Sequence, residues 1–316
     1  LRQSWICTST ILDLHFDNPG SSLRQSWTRA GVLTSTILDW PNPNLSKCGH
    51  FGVRNTLVSA LRDLEVPPHE TMVLAGIGCS GTIQNNVEAY GYHALHGRVL
   101  PAALGVALTN PHLTIIAAGG DGDGYAIGVG HLVHTFKRNP AMVYLLMNNA
   151  VYGLTKGQDS PTAAPSHETA EQGMDGISLG LALPGTTFLA RAFTGAPEQM
   201  DRLMRAALIH SQQGRGFAFL EILSPCVTYN DTYADWAGRV VDLEADDRYD
   251  RFDRAKAFGR VHEVSEGGGI PTGLIFEGDG TDMAARIMVK GAVAPAHQPT
   301  DVDAHLDGYR DLMAEY

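Results

Sequence analysis

Residues 113–149 read LTIIAAGGDGDGYAIGVGHLVHTFKRNPAMVYLLMNN, and this stretch decides the fold. The apolar run LTIIAAGG at 113–120 ends in glycines, as strands buried on both faces of a parallel sheet do. Residues 125–138 are expected as a glycine-containing helix, and AMVYLLMNN at 141–149 as the next strand. Strand, helix and strand within this length make one βαβ crossover. The two loops at its carboxyl edge are where proteins of this class bind ligands.

Those loops carry chemistry. Gly120, Asp121, Gly122 and Asp123 lie between the first strand and the helix. Glycine lets backbone crowd a ligand, and a helix N-terminus favours an anionic phosphate. Asp121 offers a hard oxygen to Mg²⁺, which takes few protein ligands and fills its shell with phosphate and water. Asn148 and Asn149 close the second strand, twenty-eight residues from Asp121 to Asn149. A GDG alone is usually an ordinary turn. GDG, twenty-five residues and then NN, in a βαβ setting, is far more specific. The arrangement resembles the signature of thiamine diphosphate enzymes. That resemblance implies a Mg²⁺ site made by Asp121, the Asn149 side chain and the Val151 carbonyl.

Outward from this unit the alternation continues. Residues 51–64 space their apolar positions for an amphipathic helix, stopped by the prolines at 67–68. TMVLAGIG at 71–78 is another buried strand, and residues 100–108 a helix with Pro101 in its first turn. Residues 197–211 read as a helix and GFAFLEIL at 216–223 as a strand. The expected fold class is α/β, a parallel sheet with helices on both faces. Residues 45–235 form the expected cofactor domain, and 236–316 a charged, helical extension packed on it or on a partner. Residues 1–44 are irregular. LRQSW at 1–5 returns at 23–27, and TSTILD at 8–13 returns at 34–39. Two copies with different spacing have no solenoid logic, so the segment is read as duplicated or artefactual and set aside.

Bulk composition excludes several classes. The chain has 316 residues, 44% of them hydrophobic, which is enough to bury a core without disulfides. A formal charge of −11 argues against nucleic acid and anionic membranes as partners. No apolar run approaches the ~18 residues of a membrane helix, and no secretory signal pattern opens the chain. The expected location is the cytoplasm. Four cysteines, Cys7, Cys48, Cys79 and Cys226, are too few and too scattered for a disulfide framework.

An ordered set of segments narrows the reading: GIGCSG at 76–81, HALHGRVLPAALGVALTNP at 93–111, GGDGDGYAIGVGHLVH at 119–134, NNAVYGLTKGQDSPT at 148–162 and SPCVTYN at 224–230. Together they resemble the β subunit of a 2-oxoacid:ferredoxin oxidoreductase over residues 45–232. The TKGQDSPT segment is most similar to the 2-oxoglutarate branch. The resemblance implies oxidative decarboxylation of a 2-oxoacid to acyl-coenzyme A, with electrons leaving through a [4Fe-4S] cluster to ferredoxin. It also implies an α subunit that supplies the carboxylate for the aminopyrimidine ring of the cofactor.

The cluster ligands match incompletely. Family members carry a CxxC pair followed by glycine; here Leu45 stands at the first position and Cys48 at the second. Cys79 and Cys226 match the other two positions. Three readings are open for the fourth: a non-cysteine ligand or three-iron form, Cys7 folding back, or an altered sequence over 1–47.

Gly78, Cys79 and Ser80 are expected to flank the diphosphate, with Tyr152, Gly153, Leu154 and Thr155 beside the Mg²⁺ ligands. In the family the HGR segment lies near the active site, which makes His96 and Arg98 candidates for contacting substrate or diphosphate. Lys156 suits the distal carboxylate of 2-oxoglutarate, against the plainer reading of a solvated loop lysine. The alternatives are a β subunit acting on pyruvate or branched-chain oxoacids, a non-oxidative thiamine decarboxylase, and a catalytically dead paralogue serving as a scaffold.

Overall fold

The computed structural model describes residues 47–165, 171–288 and 292–298, with residues 306, 310, 313 and 314. The terminal repeat, Cys7 and Leu45 lie outside the described residues.

In chain order the elements are α1 (Gly49–Asp63), β1 (Thr71–Ala75), β2 (Tyr90–His93), α2 (Val99–Thr109), β3 (Thr114–Gly120), α3 (Val129–Arg138) and β4 (Met142–Asn148). There follow β5 (Val151–Tyr152), β6 (Gln158–Asp159), α4 (Gly176–Leu181), β7 (Phe188–Phe193), α5 (Pro197–Gln212) and β8 (Phe217–Leu223). The chain continues with α6 (Tyr233–Arg239), β9 (Val240–Asp242), α7 (Arg254–Glu266), β10 (Ile270–Glu277) and α8 (Met283–Ile287). The helix expected over 125–138 is split. Gly122–Ile127 winds as a π-helical turn, and α3 begins only at Val129. It stops where Asn139 takes a left-handed conformation (φ 52°) ahead of Pro140.

Eight strands make one sheet in the order β2-β1-β3-β4-β8-β7-β10-β9. Every pairing from β2 to β7 is parallel, while β10 runs antiparallel to β7. Successive side chains on a strand point to opposite faces, and β4 shows it. Val143, Leu145 and Met147 join the core under α1 and α5. Met142, Tyr144 and Leu146 join the core on the other face, under α2, α3, α4 and α7. Both faces are covered, as expected.

The segment beyond residue 235 differs from the expected charged extension. β9 and β10 add two strands to the same sheet, so the expected boundary at 235–236 falls inside one core. Pro271 and Gly273 interrupt the apolar pattern of β10 and hide it from a periodicity reading.

Strand order builds the site. β1, β3, β4 and β8 are consecutive neighbours and parallel, so their carboxyl ends emerge side by side. The segments leaving them are Gly76–Gly81, Gly120–Gly124, Asn148–Gly153 and Ser224–Cys226.

Candidate active site

These loops enclose a cavity of 230 Å³. Its walls include Gly78, Cys79, Ser80, Gly120, Asp121, Gly122, Asp123, Asn149, Val151, Tyr152, Gly153, Leu154 and Thr155, together with His96. Four sequence candidates stand elsewhere, Cys48 among them. Arg98 is exposed at the start of α2, its Nη1 giving a hydrogen bond to the Ile127 carbonyl at 3.2 Å. Lys156 is exposed in the β5–β6 hairpin loop with φ 79° and lines no wall of this cavity. Cys226 lies just behind Gly153, outside the cavity lining.

The two aspartates do different work. Oδ1 of Asp123 accepts the backbone N–H of Ile77 at 3.0 Å and of Gly97 at 2.8 Å, and lies 2.8 Å from His96 Nδ1. One buried carboxylate thus ties the loop after β1 and the HGR segment to the GDGDG turn. Asp121 instead meets two hydroxyls: Ser160 Oγ at 2.5 Å and Thr162 Oγ1 at 2.6 Å both donate to its Oδ2. Burial pushes the Asp121 carboxyl up from its ordinary range, and those two hydroxyls oppose the rise. Asn149 turns back on itself, its Oδ1 accepting the Val151 N–H at 3.1 Å, while Asn230 Nδ2 holds its carbonyl at 2.9 Å.

This donor set fits Mg²⁺. Asp121, Asn149 and the Val151 carbonyl present oxygen ligands of three hard kinds, few enough to leave coordination positions for phosphate. The loop beside them suits a close ligand, because Gly122 has no room for a side chain; a Cβ there would sit 2.1 Å from the Tyr152 ring. Among the described residues no three His, Cys, Asp or Glu groups converge to hold one metal ion. The oxygen set above includes only one residue of those types.

The cysteines occupy a second corner. A Cβ on Gly153 would lie 3.6 Å from Cys79 Sγ and 3.8 Å from Cys226 Sγ, so both sulfurs face the same point of the hairpin. Cys48 is brought to the same side by the start of α1. The N–H of Gly49 bonds the Pro225 carbonyl at 3.2 Å, and His50 Nδ1 lies 2.6 Å from Ser224 Oγ. Gly49 allows this approach because a Cβ would sit 2.7 Å from Ser224 backbone atoms. Cysteines from three distant segments thus stand at one edge of the sheet, with the sulfurs of Cys79 and Cys226 facing one point; thiolates are the ligand type that iron–sulfur clusters use.

His50 escaped the sequence reading. It lines the cavity, and burial lowers its pKa to about 4, so it is neutral at physiological pH. Its position directly after Cys48–Gly49 was the available signal. Ser160 and Thr162 also received no role, although they end the TKGQDSPT segment.

Known proteins resemble this chain over most of its described length. The thiamine pyrophosphate enzyme family, C-terminal TPP binding domain, matches residues 76–222. The family describing the C-terminal part of the pyruvate ferredoxin oxidoreductase beta subunit matches residues 226–288. The chain is 38% identical over 245 residues to the β subunit of 2-oxoacid:ferredoxin oxidoreductase 2 from Aeropyrum pernix, covering 72% of this chain and 78% of that one. The chain belongs to the 2-oxoacid:ferredoxin oxidoreductase β-subunit family. It is therefore a subunit of a thiamine diphosphate-dependent enzyme, and the β-subunit label implies a companion α subunit. Within the family, the KorB subunit of 2-oxoglutarate oxidoreductase from Mycobacterium tuberculosis is 37% identical over 190 residues, 58% of this chain and 50% of that one. Among solved structures, a 2-oxoglutarate:ferredoxin oxidoreductase from Magnetococcus marinus, with 2-oxoglutarate, coenzyme A and succinyl-CoA bound, matches with a TM-score of 0.72. The identity is 32%, over 83% of this chain and 90% of that one. Among the described residues, no helix is long and apolar enough to cross a membrane.

Proposed function

We propose that this chain is the β subunit of a 2-oxoglutarate:ferredoxin oxidoreductase, converting a 2-oxoacid to acyl-coenzyme A and passing electrons through an iron–sulfur cluster to ferredoxin. The observation that carries the reading is the gathering of the GDG loop, Asn149 and the hairpin residues into one cavity whose Gly153 wall faces the sulfurs of Cys79 and Cys226. The choice of 2-oxoglutarate is supported by the KorB relatives and by the bound 2-oxoglutarate of the matching structure. Pyruvate and branched-chain oxoacids are the competing substrates.

In this reading Asp121, Asn149 and the Val151 carbonyl hold Mg²⁺, and the backbone around Gly120 and Gly122 takes the diphosphate. Bound thiamine diphosphate supplies the carbanion chemistry that cleaves the oxoacid. His96, fixed by Asp123, donates to or accepts from ligand at the cavity mouth. Arg98 and Lys156 line no wall of this cavity, so in this reading they meet diphosphate or the distal carboxylate of substrate only in the site completed by the α subunit. By the same reading Cys48, Cys79 and Cys226 ligate the cluster. Among the described residues, Asp121 and Asp123 are the only carboxylates lining the cavity, and both are already engaged. The group that activates the aminopyrimidine ring is accordingly assigned to the α subunit.

The test is 2-oxoacid- and coenzyme A-dependent viologen reduction by the chain alone and with its α subunit, under anaerobic conditions. Activity only with both chains, fastest on 2-oxoglutarate, is the expected result. Robust turnover by the isolated chain contradicts the shared site, and a preference for pyruvate overturns the substrate assignment. Less than about one iron per chain in the purified complex would sink the cluster.

A further inference from the structure

Behind the cavity, buried polar groups lie in a row from Thr162 to Arg191 that none of the chemistry above uses. Thr162 Oγ1, already 2.6 Å from Asp121 Oδ2, lies 2.8 Å from Asn148 Oδ1. Asn148 Nδ2 donates to Glu221 Oε1 at 2.9 Å, and the Tyr125 hydroxyl donates to the same oxygen at 3.1 Å. Arg191 Nε donates to Glu221 Oε2 at 2.7 Å, and its Nη2 reaches Asp175. Asp175 in turn caps the first turn of α4.

The sheet explains why these groups meet. Asn148, Arg191 and Glu221 lie on one face, at the carboxyl ends of β4, β7 and β8, where the apolar core of that face stops. Burial alone would weaken the Arg191 cation, but Glu221 and Asp175 beside it hold its pKa above the ordinary value. The far end of the row is thus a permanent charge held on three adjacent strands. The near end is a hydroxyl from a loop. Thr162 also forms part of the wall of a larger cleft of 710 Å³, whereas Asp121 faces the 230 Å³ cavity. Thr162 stands between the two.

We propose that Thr162, with Ser160, is a positioning residue for the metal-site carboxylate. The inference rests on the cofactor reading above. Both hydroxyls bind the same oxygen, so they fix the rotamer of Asp121 and leave Oδ1 outside that pairing. Asn148 Oδ1, which lies beside Thr162 and accepts the Ala150 N–H at 3.1 Å, belongs to the NN turn that carries the Asn149 and Val151 ligands. Glu221 and Arg191 keep Asn148 in place. A carboxylate held this way meets a small octahedral cation without searching among rotamers, and tolerances in such sites are about 0.5 Å.

The test uses the complex of the full chain with its α subunit at saturating thiamine diphosphate. Mn²⁺ replaces Mg²⁺, and the free ion is read by electron paramagnetic resonance. Thr162→Val, which keeps the shape and removes the hydroxyl, is expected to weaken Mn²⁺ binding about 10- to 100-fold, while Thr162→Ser stays within about threefold of the parent. Valine binding as tightly as threonine, or serine failing as badly as valine, overturns the proposal. If Thr162→Val does not fold, Ser160→Ala carries the same test, with an expected loss of about tenfold and unchanged binding as the overturning result. A parent complex that binds neither cofactor nor Mn²⁺ overturns the cofactor reading itself. A parent that binds, with all variants unaffected, overturns only the positioning role.

Discussion

Arg191 and Glu221 are register partners on the parallel strands β7 and β8, and their side chains form a buried ion pair with Nε 2.7 Å from Oε2. The pair forms part of the wall of the 710 Å³ cleft. Glu221 also receives Asn148 Nδ2, which places the last residue of β4.

Removing one partner leaves the other charged and buried. Arg191→Met is expected to cost about 3–5 kcal/mol of stability. Urea unfolding of the purified chain measures it, and a loss below about 1 kcal/mol would show that solvent reaches Glu221.

Asp121→Ala removes the carboxylate from the proposed oxygen set. Mg²⁺-dependent binding of thiamine diphosphate is expected to weaken by on the order of 100-fold, about 2.7 kcal/mol. Calorimetric titration with and without Mg²⁺ reads this directly. Asp123→Asn is expected to act otherwise, loosening the Ile77 and Gly97 contacts and lowering thermal stability.

Gly49→Ala places a methyl group 2.7 Å from Ser224 backbone atoms and pushes the start of α1 away from the Ser224–Cys226 segment. Iron and acid-labile sulfide are expected to fall well below the parent, with loss of the visible absorbance of the cluster. Parental iron content in this variant would mean that Cys48 is not a ligand.

His210 sets an acid limb of stability. It is buried, its Nε2 lies 3.0 Å from the Thr187 hydroxyl, and burial and then Arg215 lower its pKa to about 4. Thr187 donates its own proton to Asn139, so His210 Nε2–H is the donor to Thr187 and Nδ1 is bare. Protonation adds a charge and a buried donor together. The unfolded chain, with histidine near 6.5, takes up the proton first on acidification. Stability from this group is therefore full above pH ~6.5, falls as pH drops towards 4, and levels off below. The loss amounts to about 3 kcal/mol. His210→Gln is expected to flatten the pH dependence of the urea midpoint across that window; an unchanged slope would assign the limb to other groups.

Sequence alone determined the βαβ unit, the positions of Asp121 and Asn149, and the segments that line the cavity. Local signals suffice for these: glycines punctuate apolar runs, and the chain between GDG and NN is one crossover long. β7 was missed because Arg191 interrupts its apolar run, and β10 because of Pro271 and Gly273. Only tertiary structure inserted β8 between β4 and β7, and so brought Cys226 to the Gly153 wall that Cys79 also faces. Only tertiary structure bound Ser160 and Thr162 to Asp121, across 39 and 41 residues. Such contacts follow from strand order and burial. A charge within a strand has no periodic signature that names its partner, and a loop hydroxyl acquires its role only when folding removes water from the carboxylate it meets.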